Sequence, residues 1–169
     1  MQSDPSLLLT WVPRLRRYAR ALVRNIDDAD DLVQDTLERA LSKTFNWGDV
    51  RDMRAWLFSI KHNLHVDRIR KPALHMVAAD ETTPEIAIMP TQDERLIVMD
   101  LQTAIDQLPV DYKEVLLMVA LEDMSYSDVA KALSIPQGTV MSRLSRGRER
   151  LRALMDGRPA EPAILKVIK

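Results

Sequence analysis

The chain has 169 residues, of which 46% are hydrophobic and 29% charged, with 4 glycines, 9 prolines, no cysteine and a formal net charge of −1. That composition excludes a disulfide framework, a thiolate nucleophile and a cysteine zinc site. No apolar run approaches the roughly 20 residues of a membrane span, and no signal-peptide pattern opens the chain, so a soluble, cytoplasmic protein with no direct membrane insertion is expected. The near-neutral total hides a strong segregation. Arg14, Arg16, Arg17, Arg20 and Arg24 stand against Asp4 alone in the first 24 residues, while Asp27, Asp28, Asp30, Asp31, Asp35 and Glu38 stand against Arg39 over residues 27–41. Residues 61–71 and 139–152 are basic again. Charge sorted in this way fits separate partners of opposite sign, and a neutral sum does not exclude DNA.

Leu8, Val12, Leu15, Ala19 and Leu22 define a first amphipathic helix that Pro13 is expected to open, with Leu7–Val12 as a lead-in. After the break at Asn25-Ile26, Asp27 or Asp28 is expected to cap a second helix with Ala29, Val33, Leu37 and Ala40 facing inward. Asp31, Asp35 and Glu38 share its opposite face, which reads as a solvated surface, a dock for a basic partner or, least favoured, a metal site. Phe45 and Trp47 then sit beside Asn46 and Gly48 in a loop, either as core plugs or as platforms for an unpaired base.

The third helix spans about Met53 to Arg70, with Met53, Leu57, Ile60 and Leu64 inward and Trp56 adjoining. Lys61, His62, His65 and Arg68 occupy another face. His62 and His65 lack a third ligand and are expected to be surface histidines. Residues 73–93 change character. They carry prolines and four acids but no Lys or Arg, which marks an acidic linker between two small helical units.

The C-terminal unit opens with a helix carrying Leu96, Met99 and Thr103, turns at residues 106–109, and continues its core through Val115, Leu116, Val119 and Ala120. Its most informative stretch is Ser125 to Leu154. A short helix over about Ser127 to Leu133, capped by Ser125 or Ser127, is followed by a turn at Ser134-Ile135 and by Pro136 at the first position of a second helix. Along that helix Val140, Leu144, Gly147, Leu151 and Leu154 form one inward stripe, so Gly147 marks a close helix contact rather than a helix end. Gln137, Thr139, Ser142, Arg143, Ser145, Arg146 and Glu149 lie outward, with Arg148, Arg150 and Arg152 on the flanks. Short polar side chains followed by arginines suit entry into a major groove, although a solvated basic hairpin would share this pattern. The tail 157–169 receives no role.

Taken together, these stretches resemble the extracytoplasmic-function (ECF) group of the sigma-70 family of bacterial RNA polymerase sigma factors. DADDLVQDTLERAL (28–41) resembles the family's region that docks on the β′ clamp helices of the polymerase. AWLFSIKHNLHVDRIRK (55–71) resembles the segment that melts and reads the −10 element. LPVDYKEVLLMVALEDMSYSDVAKALSIPQGTVMSRLSRGRERLR (108–152) resembles the domain that reads the −35 element. The three matches fall in the family's order.

The resemblance implies an all-α fold. A region 2 domain (1–72) and a region 4 domain with a helix-turn-helix (94–156) would be joined by a flexible linker (73–93). It implies core polymerase binding through Asp31, Gln34, Asp35 and Glu38, and a region 4 contact with the β flap. The −10 contacts would come from Phe45, Asn46, Trp47, Lys61, Asn63, Asp67, Arg68 and Arg70. The −35 contacts would come from Gln137, Thr139, Ser142, Arg143, Arg146 and Arg150. It also implies promoter DNA as a partner, an anti-sigma protein that covers these surfaces and can hold the chain near the membrane, no cofactor, no metal and no catalysis. The acidic linker matches the connector that threads toward the RNA exit path. Gly147 departs from the pattern, standing where the family commonly has alanine. A plain helix-turn-helix regulator would leave the acidic face and aromatic loop without a role, and a sigma-like decoy would not need basic faces on both units. An enzyme lacks support, because no phosphate loop or nucleophile–base set is present.

Overall fold

The structure is a computed structural model that describes residues 5–43, 50–71 and 92–157, the side chains of 92–96 and 99 excepted. Every regular element among these residues is helical. The N-terminal unit holds α1 (Ser6–Leu9), α2 (Val12–Leu22), α3 (Ile26–Ser42) and α4 (Met53–Arg70). The C-terminal unit holds α5 (Gln92–Asp106), α6 (Val110–Glu122), α7 (Tyr126–Leu133) and α8 (Gln137–Met155).

Local chemistry explains where these helices begin. Pro13 lies in the first turn of α2, where its missing N–H and fixed φ do no harm. The cap of α3 is Asn25, not the expected Asp27 or Asp28: its Oδ1 accepts from the N–H of Asp27 at 2.8 Å and of Asp28 at 3.1 Å. The two aspartates instead sit in the first turn, where the helix dipole favours negative charge. Asp52 caps α4 by accepting from Ala55 N at 3.0 Å. Pro136 is the N-cap of α8 rather than its first helical residue, since its ψ of 147° is extended.

The inward stripes follow the expected period with local corrections. In α3, Leu32 and Thr36 join Ala29, Val33 and Ala40, and the Thr36 hydroxyl donates to Leu32 O at 2.7 Å. In α5, Thr103 is exposed while Ala104 and Ile105 are buried. In α6, Ala120 is exposed, and Leu117 and Met118 turn inward beside Val115 and Leu116. Both long faces of α6 are covered, so its single apolar stripe is an underestimate.

The two helical units also meet: α6 packs on α2 and α7 packs on α4, and buried residues of both units join one apolar cluster. This arrangement buries a second face of α4, with Phe58, Lys61 and His65, which the apolar stripe of that helix alone does not indicate. The linker, the aromatic loop at 44–49 and the tail beyond 157 lie outside the described residues.

Candidate nucleic-acid interface

The helix-turn-helix is built by α7 and α8. The Ser125 hydroxyl accepts from Asp128 N at 3.1 Å and starts α7. Ser134 ends it in the left-handed region (φ 54°, ψ 44°), and Ile135 N donates back to Ala130 O at 3.1 Å. After this reversal Val129, Ala132, Leu133, Val140 and Leu144 are all buried in one apolar cluster, which holds α7 on α8. Gly147 is buried against α6, where an added Cβ would stand 3.3 Å from Tyr112 Cβ. A close helix contact at Gly147 is therefore what the structure contains.

On the outer side of α8, Gln137, Ser142 and Arg146 are exposed, while Thr139 and Arg150 are half-buried. The Ser142 hydroxyl donates to Thr139 O at 3.1 Å. Arg143 leans on α6, its Nη2 lying 3.2 Å from Asp111 Oδ2. Short polar groups at the N-terminal end and free cations one to three turns later are what a helix needs to touch base edges first and phosphates beside them.

On α4 the candidates divide between two faces. Asn63 and Asp67 line an open hollow of about 200 Å³ with Arg39, Lys43, Ile60 and Leu64. Lys43 leads directly into residues 44–49, so Phe45, Asn46 and Trp47 lie outside the described residues. Arg70 is exposed. Arg68 is tied to α3: Nη1 donates to Asp28 O at 3.0 Å and Nη2 to Asp35 Oδ2 at 2.6 Å. The acidic face of α3 is otherwise open, with Asp31, Gln34 and Glu38 exposed and Gln34 Nε2 donating to Glu38 Oε1 at 2.9 Å.

Lys61 lies on the second face, with His62 and His65. Lys61 is 0% exposed, and its Nζ stands 3.0 Å from the Tyr18 ring centroid and 4.9 Å from that of Phe58. Burial lowers its pKa from the ordinary 10.5 to about 7, against the opposing pull of Glu114 and Glu122. The expected surface histidines are not both at the surface. His62 Nδ1 sits 3.0 and 2.9 Å from the two carboxylate oxygens of Glu114, and His65 is buried, which lowers its pKa. Their second face is covered because α6 and α7 close over it.

Sequence reasoning missed the residues that make this closure. The Glu122 carboxylate is fully buried, with Arg14 Nε 3.2 Å from Oε2 and Arg17 Nη2 3.1 Å from Oε1. Arg17 Nη2 also donates to Leu121 O at 2.6 Å, and Arg54 Nη1 to Glu122 O at 3.0 Å. Arg54 Nη2 lies 3.6 Å from Asp128 Oδ2, and the Tyr18 hydroxyl donates to Glu114 O at 3.2 Å. One signal was present in the sequence: Glu114 and Glu122 are eight residues apart, near one face of a helix that is apolar over Val115–Leu121.

Comparison with known proteins bears on both units. Residues 8–62 match the family described as the Sigma2 domain of PhyR, and residues 98–151 match Sigma-70, region 4. The chain is 37% identical over 149 residues to the ECF RNA polymerase sigma factor EcfG of Rhodopseudomonas palustris, covering 88% of this chain and 82% of that protein. It is 32% identical over 142 residues to the ECF RNA polymerase sigma factor SigM of Mycobacterium tuberculosis, covering 84% and 71%. Among solved structures it resembles the sigma factor RpoE in complex with the anti-sigma factor NepR from Bartonella quintana. That likeness has a TM-score of 0.67 at 28% identity over 89% of this chain and 95% of that one. It also resembles CnrH in complex with the cytosolic domain of CnrY, with a TM-score of 0.65 at 26% identity over 91% and 88%.

Proposed function

The chain belongs to the ECF group of RNA polymerase sigma factors, non-enzymatic factors of transcription initiation, and from that premise we propose how its surfaces divide the work. The acidic face of α3, through Asp31, Gln34, Asp35 and Glu38, docks on basic helices of the β′ clamp, and region 4 meets the β flap. Asn63, Asp67 and Arg70, with Lys61 and Arg68 of the same helix and Phe45, Asn46 and Trp47 from the loop before α4, read and open the −10 element. Unpairing costs a few kcal/mol per base, which a pocket and aromatic stacking offset. The hollow between Arg39, Lys43, Asn63 and Asp67 has the polar lining that an extruded base requires. Gln137, Thr139, Ser142, Arg143, Arg146 and Arg150 serve the −35 element, where a good bidentate base contact discriminates by about 1–3 kcal/mol. The proposed domain limits are 1–72 for region 2, 73–93 as linker and 94–156 for region 4, with α5 starting at Gln92 near the end of that linker.

An anti-sigma protein is the further partner. One structural neighbour is a sigma factor in complex with an anti-sigma factor, a second is CnrH in complex with the cytosolic domain of CnrY, and each likeness covers most of this chain. The protein acts in the cytoplasm; among the described residues no helix is long and apolar enough to cross a membrane.

The observation that carries this reading is the pairing, on one chain, of an exposed polar-to-basic α8 with an exposed acidic α3. A plain operator-binding regulator has no use for the second surface. Run-off transcription with bacterial core polymerase and fragments of the source genome tests it. Discrete new transcripts, with start sites sharing −10 and −35 sequences, are the expected result. Active core, a working control sigma and neither transcripts nor core binding would overturn it.

A further inference from the structure

Resting on the sigma-factor reading, we propose that Glu114 and Glu122 of α6 are an autoinhibitory latch: two carboxylates that occupy the cationic surface of α2 and α4 and hold the free chain closed. Three cationic or ionisable side chains from two helices contact them, and two more lie beside them. Arg14 and Arg17 of α2 grip Glu122, His62 of α4 faces Glu114, and Lys61 lies buried beside both. Arg54 adds the Glu122 carbonyl, at the negative end of the α6 dipole. Two arginines on a carboxylate buried in the same surface form a cationic patch that the chain's own acid occupies.

The contact is also built to separate. Ionic groups taken out of water gain little over an apolar interface of the same size, because desolvation cancels much of the attraction. Among the described residues Lys61 Nζ, Arg54 Nε, His65 Nε2 and Glu122 Oε2 are buried without a hydrogen-bond partner, and water would satisfy all four on opening.

Geometry demands that opening. A compact chain of this length is about 40 Å across, from a radius of gyration of roughly 15 Å. The −35 and −10 elements are by name about 25 base pairs apart, roughly 85 Å at 3.4 Å per pair. With α6 and α7 seated on α2 and α4, both elements cannot be read together. Separation frees Lys61 and His62 beside Asn63, on the helix assigned to the −10 element. The latch therefore exchanges an internal acidic ligand for external anions.

The chain lacks cysteine, so dyes can be placed at Arg24→Cys and Lys131→Cys, both exposed. Energy transfer should show one closed population in the free chain. Adding Glu114→Gln and Glu122→Gln should move most molecules to low transfer, and without the dyes should raise core polymerase affinity at least threefold. A double variant with unchanged helicity and unchanged transfer overturns the latch. Should that variant unfold, Arg54→Cys with Asp128→Cys, joined by a short bismaleimide, provides the second test. The linked chain should lose at least tenfold in run-off transcription against the same variant unlinked, and equal transcription overturns the latch alone. A wild-type chain that neither binds active core nor transcribes overturns the sigma-factor reading, and the latch with it.

Discussion

Lys61 and Tyr18 meet cation to ring face, with Nζ 3.0 Å from the ring centroid and no hydrogen-bond acceptor for that nitrogen among the described residues. The ring recovers part of the desolvation cost, since a buried cation–π contact contributes about 2 kcal/mol. It does not recover all, as the lowered pKa shows. Lys61→Met removes the charge and keeps the volume, while Glu114 retains His62 and Glu122 retains Arg14 and Arg17. The variant is expected to gain about 1–3 kcal/mol in stability, read from its urea midpoint at pH 7, in line with apolar replacements of buried ionic groups. A loss of stability would mean that the ammonium is held by more than the ring.

The same lysine sets a pH dependence. In the unfolded chain it holds its proton up to its ordinary 10.5, whereas in the folded chain it releases it from about 7. Between those values the unfolded state binds more protons, so stability rises with pH by at most about 1.4 kcal/mol per unit. His65, also lowered by burial, adds a rise in the acid range below its ordinary 6.5. Tyr18 works the other way above pH 10, because burial raises its pKa and only the unfolded chain ionises there. Urea midpoints should increase from pH 7 to 9, and the increase should be largely absent in Lys61→Met.

Gly147 tests how close α8 and α6 must lie. Alanine would gain about 1 kcal/mol of helix propensity. Its Cβ would meet Tyr112 Cβ at 3.3 Å and Tyr112 O at 3.6 Å, so α6 must yield by a few tenths of an ångström. The two effects nearly cancel, and Gly147→Ala should melt within about 1 kcal/mol of wild type. Gly147→Leu cannot be absorbed and should cost at least about 1–3 kcal/mol, with loss of −35 binding as the helix-turn-helix loosens. Calorimetry and a binding titration on duplex DNA would check both.

Ser134 pays for the turn between α7 and α8 with a left-handed backbone (φ 54°) that an L-residue disfavours. Its side chain is exposed and makes no hydrogen bond among the described residues that glycine would lose. Ser134→Gly should therefore stabilise the C-terminal unit by about 0.5–1 kcal/mol, after the extra entropy of glycine in the unfolded chain is deducted. Slower amide exchange in α7 would register the gain.

Asp35 separates a stability role from a binding role. Its bond to Arg68 at 2.6 Å is half-exposed, and such pairs contribute at most about 1 kcal/mol. Asp35→Asn should leave the melting temperature nearly unchanged and weaken core polymerase binding several-fold. A large drop in stability with intact core binding would reverse the assignment.

The legible part of this protein is what helix geometry makes local. Val140, Leu144 and Gly147 recur at helical spacing, so the inner side of α8, and hence its polar outer side, could be read from the sequence alone. Ser125, Ser134 and Pro136 announce the turn because capping and φ restrictions act within a few residues. The acidic face of α3 follows from the same period. Lys61, His65, Glu114 and Glu122 were not legible, since charged side chains are almost never fully buried unless paired, and periodicity assigns them to solvent. Their pairing joins residues about fifty or more positions apart, as in His62 with Glu114 and Arg14 with Glu122. A long-range pair is decided by which surfaces meet once the helices have formed. The sequence determined the helices and their two candidate binding faces; only the tertiary structure decided that two carboxylates of one unit are buried in the cationic surface of the other.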